Sequence, residues 1–414
     1  MSARDGRIAF VDALFTATSA VCVTGLVVVD TATAYSGFGQ AVILALIQLG
    51  GLGIMTFSSL ILLVSSGRIS FNDRLAVQST FRPSAGGDFK SLMTSVFLFT
   101  AALEAAGTLA LFLRFRRDFP APRALALAAF HGISAFCNAG FSLFSDNLMG
   151  YRGDWTVNVT IMLLIVLGGL GFFVLRELAR GASAAIRRRR FRFSLHSKLV
   201  FVMTAALIFI SAGLLLWLEH PGSMKGYAPE EKVLSAAFQA VTARTAGFNT
   251  VDLAAYTSAS AYLLIFLMFV GASPGSTGGG VKTSTVGVIL AFLRSRIRAR
   301  DSASLFRRTI PADDVTKAYT VISLAMSLIF VITFVLLLDQ PGLGLKDVLF
   351  EVVSAFGTVG LSLGITPGLT SVNKAALILT MYIGRVGPVT LLYAFSRYRA
   401  AGRFEYAEEN VMIG

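Results

Sequence analysis

Apolar residues in this chain are gathered into runs of about 20, at 38–64, 90–113, 156–178, 198–218, 259–293, 317–338 and 375–396. A run of that length crosses the hydrocarbon core of a bilayer as a helix, so the pattern predicts seven spans. Between them lie four shorter amphipathic stretches, for example 10–20 and 348–355. These are too brief to span and have the character of re-entrant helices that enter and leave the membrane on one side.

Composition narrows the function classes. The chain has 414 residues, 55% hydrophobic and 14% charged, with mean hydropathy +0.72. That leaves too little polar surface to clothe a soluble globule. A disordered chain, a disulfide-stapled secreted scaffold and a cytosolic enzyme are excluded; channels, transporters and membrane-embedded enzymes remain. An embedded enzyme is poorly supported, because His131, His196 and His220 show no metal-ligand spacing and no nucleophile set accompanies them. Cys22 and Cys137 are read as small side chains in packed surroundings.

The net charge of +13 is explained by topology. Of the 36 basic residues, 22 fall in segments 65–90, 176–198, 294–317 and 395–414, which places that side in the cytoplasm of a multi-pass cell-membrane protein. Arg187, Arg188, Arg189, Arg190 and Arg192 form the densest run, read as an anchor beside anionic lipid; no nucleic-acid partner is expected. Arg244, Lys282 and Arg385 fall at membrane depth.

On the side opposite that run, four segments resemble one another. They are Ser19-Ala-Val-Cys-Val-Thr-Gly25-Leu26, Ser134-Ala-Phe-Cys-Asn-Ala-Gly140-Phe141, Val241-Thr-Ala-Arg-Thr-Ala-Gly247-Phe248 and Ser354-Ala-Phe-Gly-Thr-Val-Gly360-Leu361, with glycines 115, 107 and 113 residues apart. The recurring unit is span, half-helix, glycine-containing extended loop, span. Non-helical backbone inside a bilayer survives only when it is buried in protein or faces a wet cavity, so four such dips need a shared centre. Around one axis, their carbonyls can form stacked rings that replace the water around a dehydrated monovalent cation. Glycine lets the backbone take the conformations and close approach this needs.

The loops, their order and the flanking spans resemble the Trk/Ktr/HKT superfamily of potassium transporters, from about Phe10 to the C-terminus. The ending Glu408-Glu-Asn-Val-Met-Ile-Gly414 is most similar to the Ktr-type membrane subunit. The resemblance implies an all-α polytopic fold of four pseudo-symmetric repeats around one pore, at 1–66, 67–180, 181–300 and 301–399, followed by a tail at 400–414. It also implies a homodimer with the tail at the subunit contact, and a separate cytosolic nucleotide-binding ring of the KtrA/TrkA kind. The backbone donors for K⁺ carry over to Val23, Thr24 and Gly25, Asn138, Ala139 and Gly140, Thr245, Ala246 and Gly247, and Thr358, Val359 and Gly360. Glycine at all four filter positions goes with potassium preference in that superfamily; a Na⁺-conducting or poorly selective member is the alternative. Na⁺ as an activator is a further family trait, with no residue here that identifies a site. In the family each unit opens with an outer span, whereas only residues 1–8 precede the first half-helix; a start displaced downstream is the expected cause.

The second span of the third unit is interrupted by Gly271-Ala-Ser-Pro274-Gly275-Ser-Thr-Gly278-Gly279-Gly280-Val-Lys282-Thr, which cannot sustain a helix. A phosphate-binding loop needs glycine where Val281 stands. By resemblance this is the intramembrane loop that obstructs permeation below the filter, and Arg385 projects into the pore to help it hold back cations. Lys282 has two open readings, at the loop or in cytoplasmic water. Cys22, Cys137, Arg244 and Gly357 occupy equivalent positions one layer beyond the filter. Arg244 is expected to turn from the cation path toward Glu351, Glu104 or carbonyls. Leu49-Gly-Gly-Leu-Gly53 and Leu167-Gly-Gly-Leu-Gly171 are read as small-residue contacts between helices.

Overall fold

The structure is a computed structural model that describes residues 8–53 and 89–387. The first seven residues, 54–88 and 388–414 lie outside the described residues, and with them the C-terminal ending, two of the basic segments almost entirely, and parts of the first and last expected spans.

The described chain is helical: α1 Phe10–Val21, α2 Thr31–Ala34, α3 Gly37–Leu52, α4 Phe89–Phe115, α5 Ala121–Phe136, α6 Trp155–Leu170, α7 Phe172–Ile186, α8 Leu195–Glu219, α9 Pro229–Thr242, α10 Ser258–Phe269, α11 Thr283–Ile297, α12 Ala312–Asp339, α13 Leu345–Gly357 and α14 Ser371–Val386. A two-residue ribbon, Ser304–Leu305 against Arg308–Thr309, interrupts the run of helices after α11. α4, α8 and α12 contain stretches long and apolar enough to cross a membrane, with only 28% of each apolar window buried. Their remaining apolar surface faces outward, as a helix in lipid requires.

α3, α6, α10 and α14 start alike. Ser36, Asp154, Thr257 and Thr370 each accept a hydrogen bond from a backbone N–H three residues on, so each helix begins at a side-chain cap. They also stop early, after 12 to 16 residues. The expected continuous span at 156–178 is not found: α6 ends at Gly171 and α7 leaves at 105° to it. Gly171 has φ +93°, and Gly53 and Gly387, at the ends of α3 and α14, have φ +86° and +94°. Only glycine takes such a conformation without strain, so the backbone breaks where hydropathy alone sees no interruption.

The short helices α1, α5, α9 and α13 hold the centre. α3 packs on α1 and on α5, α6 on α5 and α9, α8 on α9 and α10, α10 on α13, and α14 on α13 and back on α1, which closes a ring. Several of the largest fully buried side chains belong to this ring, among them Phe15, Phe136, Phe238, Phe350 and Phe356. Ion pairs fasten its rim: Lys374 of α14 to Asp12 of α1 at 2.7 Å, and Arg152 to Glu231 at 3.5 Å, with the Arg152 guanidinium 3.8 Å from the centre of the Tyr227 ring.

Candidate ion pathway

Each short helix delivers its C-terminus directly to one of the four glycine loops. The Val23 and Thr24 N–H groups donate back to Ala20 O (3.1 Å) and Ser19 O (2.8 Å). Asn138 and Ala139 repeat this on Ala135 and Ser134, and Thr358 and Val359 repeat it on Ala355 and Ser354. This is the Schellman ending, in which the left-handed residue is usually glycine. Here that residue is Val23 (φ +57°), Asn138 (+60°) or Thr358 (+49°), and Thr245 (+88°) stands at the same place in the third loop. A β-branched residue in this region costs on the order of 1–3 kcal/mol and persists only where its surroundings over-determine it.

Two residues later come Gly25, Gly140, Gly247 and Gly360, all with positive φ. A Cβ on Gly25 would overlap the carbonyl oxygen of Ala139; on Gly140, that of Ala246; on Gly247, that of Val359; and on Gly360, that of Thr24. The four loops therefore meet in one closed ring, each glycine against the carbonyl of the next loop. Leu26, Phe141, Phe248 and Leu361 follow the glycines and are at most 1% exposed, so they wedge the ring in place. The four helix C-termini at the ring supply partial negative charge there. On one side it opens into a cavity of about 340 Å³ lined by the four glycines together with Asp30, Asp146, Asn147 and Asn249.

Against the same loops lies the 271–283 segment. Gly279 N donates to Thr358 Oγ1 (3.0 Å), Asn138 Nδ2 to Thr277 Oγ1 (3.0 Å), and Thr277 Oγ1 to Phe136 O (3.2 Å). A Cβ on Gly278 would overlap Thr245 Oγ1. Ser273 N and Thr277 N donate to Gly169 O and Gly168 O, and Phe172 N donates to Gly275 O. Gly271 N is paired with Val281 O, so the segment leaves and re-enters at one place. Arg385 donates to Thr277 O and to Gly50 O, and Lys282 Nζ to Gly278 O (2.7 Å) and Gly279 O (3.3 Å). Two cations thus hold the carbonyls of a glycine-rich segment that lies across the second, third and fourth loops.

A model of the TrkH family, described as cation transport protein, matches residues 2–405. The chain is 39% identical to the Ktr system potassium uptake protein B of Bacillus subtilis (strain 168), over 98% of this chain and 90% of that protein. It is 36% identical to the Ktr system potassium uptake protein B of Vibrio alginolyticus, over 97% and 88%, and 36% identical to the potassium/sodium uptake protein NtpJ of Enterococcus hirae, over 98% and 90%. The chain belongs to the TrkH family. Its fold matches the crystal structure of the potassium transporter TrkH from Vibrio parahaemolyticus with a TM-score of 0.73 at 21% identity, covering 95% of this chain and 80% of that one. As a TrkH-family member it is a multi-pass membrane protein and a cation transporter, not an enzyme.

Within this TrkH-family chain the equivalent residues beyond the ring meet different partners. Cys137 Sγ lies 3.8 Å from Glu104 Oε1 and 3.5 Å from Gln48 Oε1. Arg244 does not pair with Glu104 or Glu351, contrary to the sequence expectation: its Nη2 donates to Thr204 Oγ1 of α8 at 3.4 Å. Glu104 is held by Gln48 Nε2 (3.2 Å), and Glu351 accepts from Thr366. The reason is local: each side chain in this layer reaches its own neighbouring helix, α4 for Cys137 and α8 for Arg244. His131, fully buried, stands between Leu127 O and Ser142 Oγ, a packed and hydrogen-bonded residue.

The paired-glycine motifs do two things at once. A Cβ on Gly50, Gly168 or Gly384 would overlap the carbonyl of Val21, Phe136 or Phe356, the last helical turn of α1, α5 or α13, so these are close helix contacts. Three residues on, Gly53, Gly171 and Gly387 are the breaks. The recurring spacing Gly50-x-x-Gly53, Gly168-x-x-Gly171 and Gly384-x-x-Gly387 was the available signal. Thr277 and Thr358 carried none, since their partners lie 79 to 141 residues away.

Proposed function

We propose that this chain conducts potassium inward across the cell membrane through one pore formed by the four loops. The observation that carries the reading is the closed ring in which Gly25, Gly140, Gly247 and Gly360 each abut the carbonyl of the following loop. Moving a bare cation into low dielectric costs tens of kcal/mol, and a ring of fixed carbonyl dipoles offsets that without trapping the ion. Val23, Thr24, Asn138, Ala139, Thr245, Ala246, Thr358 and Val359 supply the successive carbonyl layers beside the glycines, and the four repeats at 1–66, 67–180, 181–300 and 301–399 supply one loop each. Four glycines and the names of the relatives favour potassium over the sodium alternative. A membrane potential of 100 mV is worth about 2.3 kcal/mol per charge, roughly a fiftyfold concentration ratio, so uptake needs no coupled ion. Sodium as an activator is tested by the Na⁺ dependence of the same flux.

The 271–283 segment is the gate. Gly271, Pro274, Gly275, Gly278, Gly279 and Gly280 keep it non-helical, and Lys282 and Arg385 hold it across the path with positive charge. The chain functions as a homodimer, and a cytosolic nucleotide-binding ring acting on its basic face releases the gate.

The test is growth rescue of a potassium-uptake-deficient cell, paired with Rb⁺ and Na⁺ flux into vesicles. Rescue by the wild type and a loss of K⁺ preference in Gly25→Ser are expected. Protein present in the membrane with no rescue and no flux overturns the reading.

A further inference from the structure

Beyond the ring and the 271–283 segment, the most distinctive surface is α7 with the turn that follows it. α7 leaves α6 at 105°, so it runs across the spans instead of along them. Its inner residues Phe172, Val174 and Leu175 are buried, while Leu178 and Ile186 are exposed, Ile186 at 84%. The chain then folds back: Phe191 and Phe193 pack edge to face at 5.1 Å, Phe193 does the same with Phe201 of α8, and both lie against Gly181. Between α7 and this return sits a groove of about 430 Å³ lined by Leu178, Gly181, Ala182, Ala185, Arg189, Phe191 and Phe193. Arg189 is part of this lining, and Arg187, Arg188, Arg190 and Arg192, its neighbours in the chain, are exposed as it is. The one carboxylate in 172–193, Glu177, is engaged by Ser194 N and Oγ.

We propose that this groove binds an anionic glycerophospholipid, with one acyl chain along Leu178, Ala182 and Phe191 and the phosphate at Arg189 and its neighbours. An apolar slot with Arg189 in its lining and four more exposed arginines beside it in the chain, on a helix lying across the spans, matches the amphipathic chemistry of such a lipid. Occupancy has a direct route to the gate. α7 starts at Gly171 and Phe172; Phe172 N donates to Gly275 O (2.9 Å), and Gly171 is packed against Pro274 O. A lipid that fixes the tilt of α7 therefore fixes one end of the 271–283 segment. This second part rests on the transport reading; the binding itself does not.

The purified full chain is examined by native mass spectrometry with phosphatidylglycerol and phosphatidylcholine of identical acyl chains. Wild type is expected to retain phosphatidylglycerol preferentially, with a loss of roughly fivefold for each of Arg189→Gln and Arg190→Gln. Ala185→Trp, which fills the groove and keeps all charges, is expected to weaken retention as well. Equal retention of both lipids by the wild type, or a preference unchanged in all three variants, overturns the site. If phosphatidylglycerol is displaced by the soluble nucleotide-binding ring, with no difference between lipids in its absence, the surface belongs to that protein and the proposal fails. Rb⁺ flux into vesicles of rising phosphatidylglycerol content, measured for the wild type and Arg189→Gln, reads the coupling. A dependence that is steep for the wild type and flat for the variant supports it; flux insensitive to lipid in both overturns the coupling. Absence of flux in every vesicle, with lipid preference intact by mass spectrometry, counts against the transport reading alone.

Discussion

The guanidinium of Arg385 on α14 donates to Gly50 O at the end of α3, 335 residues earlier in the chain, and with its other amino group to Thr277 O in the 271–283 segment. One side chain thus ties the segment to the frame that surrounds it. A half-buried arginine has five donors and no acceptor, so carbonyls at a helix end and in a loop are what it can satisfy. Replacing it with alanine removes two charge-assisted bonds, worth about 3 kcal/mol together. Vesicles holding only Arg385→Ala are expected to pass Rb⁺ at least tenfold faster than wild type without any partner, and Arg385→Lys to fall between the two. Flux that stays at the wild-type level in a well-folded Arg385→Ala protein contradicts the tether.

Thr358 connects the segment to the fourth loop more finely. Its Oγ1 accepts from Gly279 N while its own φ is +49°, so one residue both bends the loop and holds the segment. Thr358→Val keeps the β-branch and deletes the acceptor, leaving the Gly279 N–H unpaired at a cost of about 1–3 kcal/mol. Thr358→Ser keeps the acceptor. Faster amide exchange in peptides covering 275–281 is expected for valine and not for serine; identical exchange in both variants rules out the bond as the latch.

Much of this arrangement is legible in the sequence, and the part that is not has a physical reason. The intervals between Gly25, Gly140, Gly247 and Gly360 announce four similar loops because glycine is required wherever a Cβ has no room. That each glycine faces the next loop's carbonyl is a fact of assembly, which spacing does not contain. Hydropathy finds α4, α8 and α12 because their outer faces are apolar throughout. It overruns at Gly171, where a single backbone dihedral turns the chain by 105° inside an unbroken apolar run. Arg244 is expected on charge grounds beside a carboxylate or carbonyls, yet its Nη2 meets a hydroxyl, that of Thr204 on α8. Lys282 resisted assignment because its partners, Gly278 O and Gly279 O, are backbone atoms that no residue pattern marks.

The glycine ring sets an order among substitutions. Any Cβ at these four positions meets a backbone oxygen of the next loop, which cannot yield as a side chain would, and each position also has positive φ. Gly25→Ser, Gly140→Ser, Gly247→Ser and Gly360→Ser are each expected to reduce the K⁺ over Na⁺ flux ratio by about tenfold, a shift of about 1.4 kcal/mol in relative barrier. Gly213→Ser serves as the control. It lies on α8 with open space around its Cα, and its ratio is expected to stay unchanged. Serine variants that transport like the control place the discriminating contacts elsewhere.

The ring is closed at its rim by Lys374 and Asp12, which join the first turns of α14 and α1 across 362 residues at 2.7 Å, with side chains 12% and 19% exposed. Both are shielded enough that removing one strands the other. Lys374→Met or Asp12→Asn alone is therefore expected to cost about 2 kcal/mol, and the double variant less than the sum of the singles. Asp12 also sits in the first turn of α1, where negative charge is favoured, so the exchanged pair Asp12→Lys with Lys374→Asp restores the bond but not that second contribution. Its heat-inactivation midpoint is expected between the wild type and the singles. Additive single effects with no recovery in the exchange mean that the pair does not fasten the ring, and that packing of α14 on α1 alone closes it.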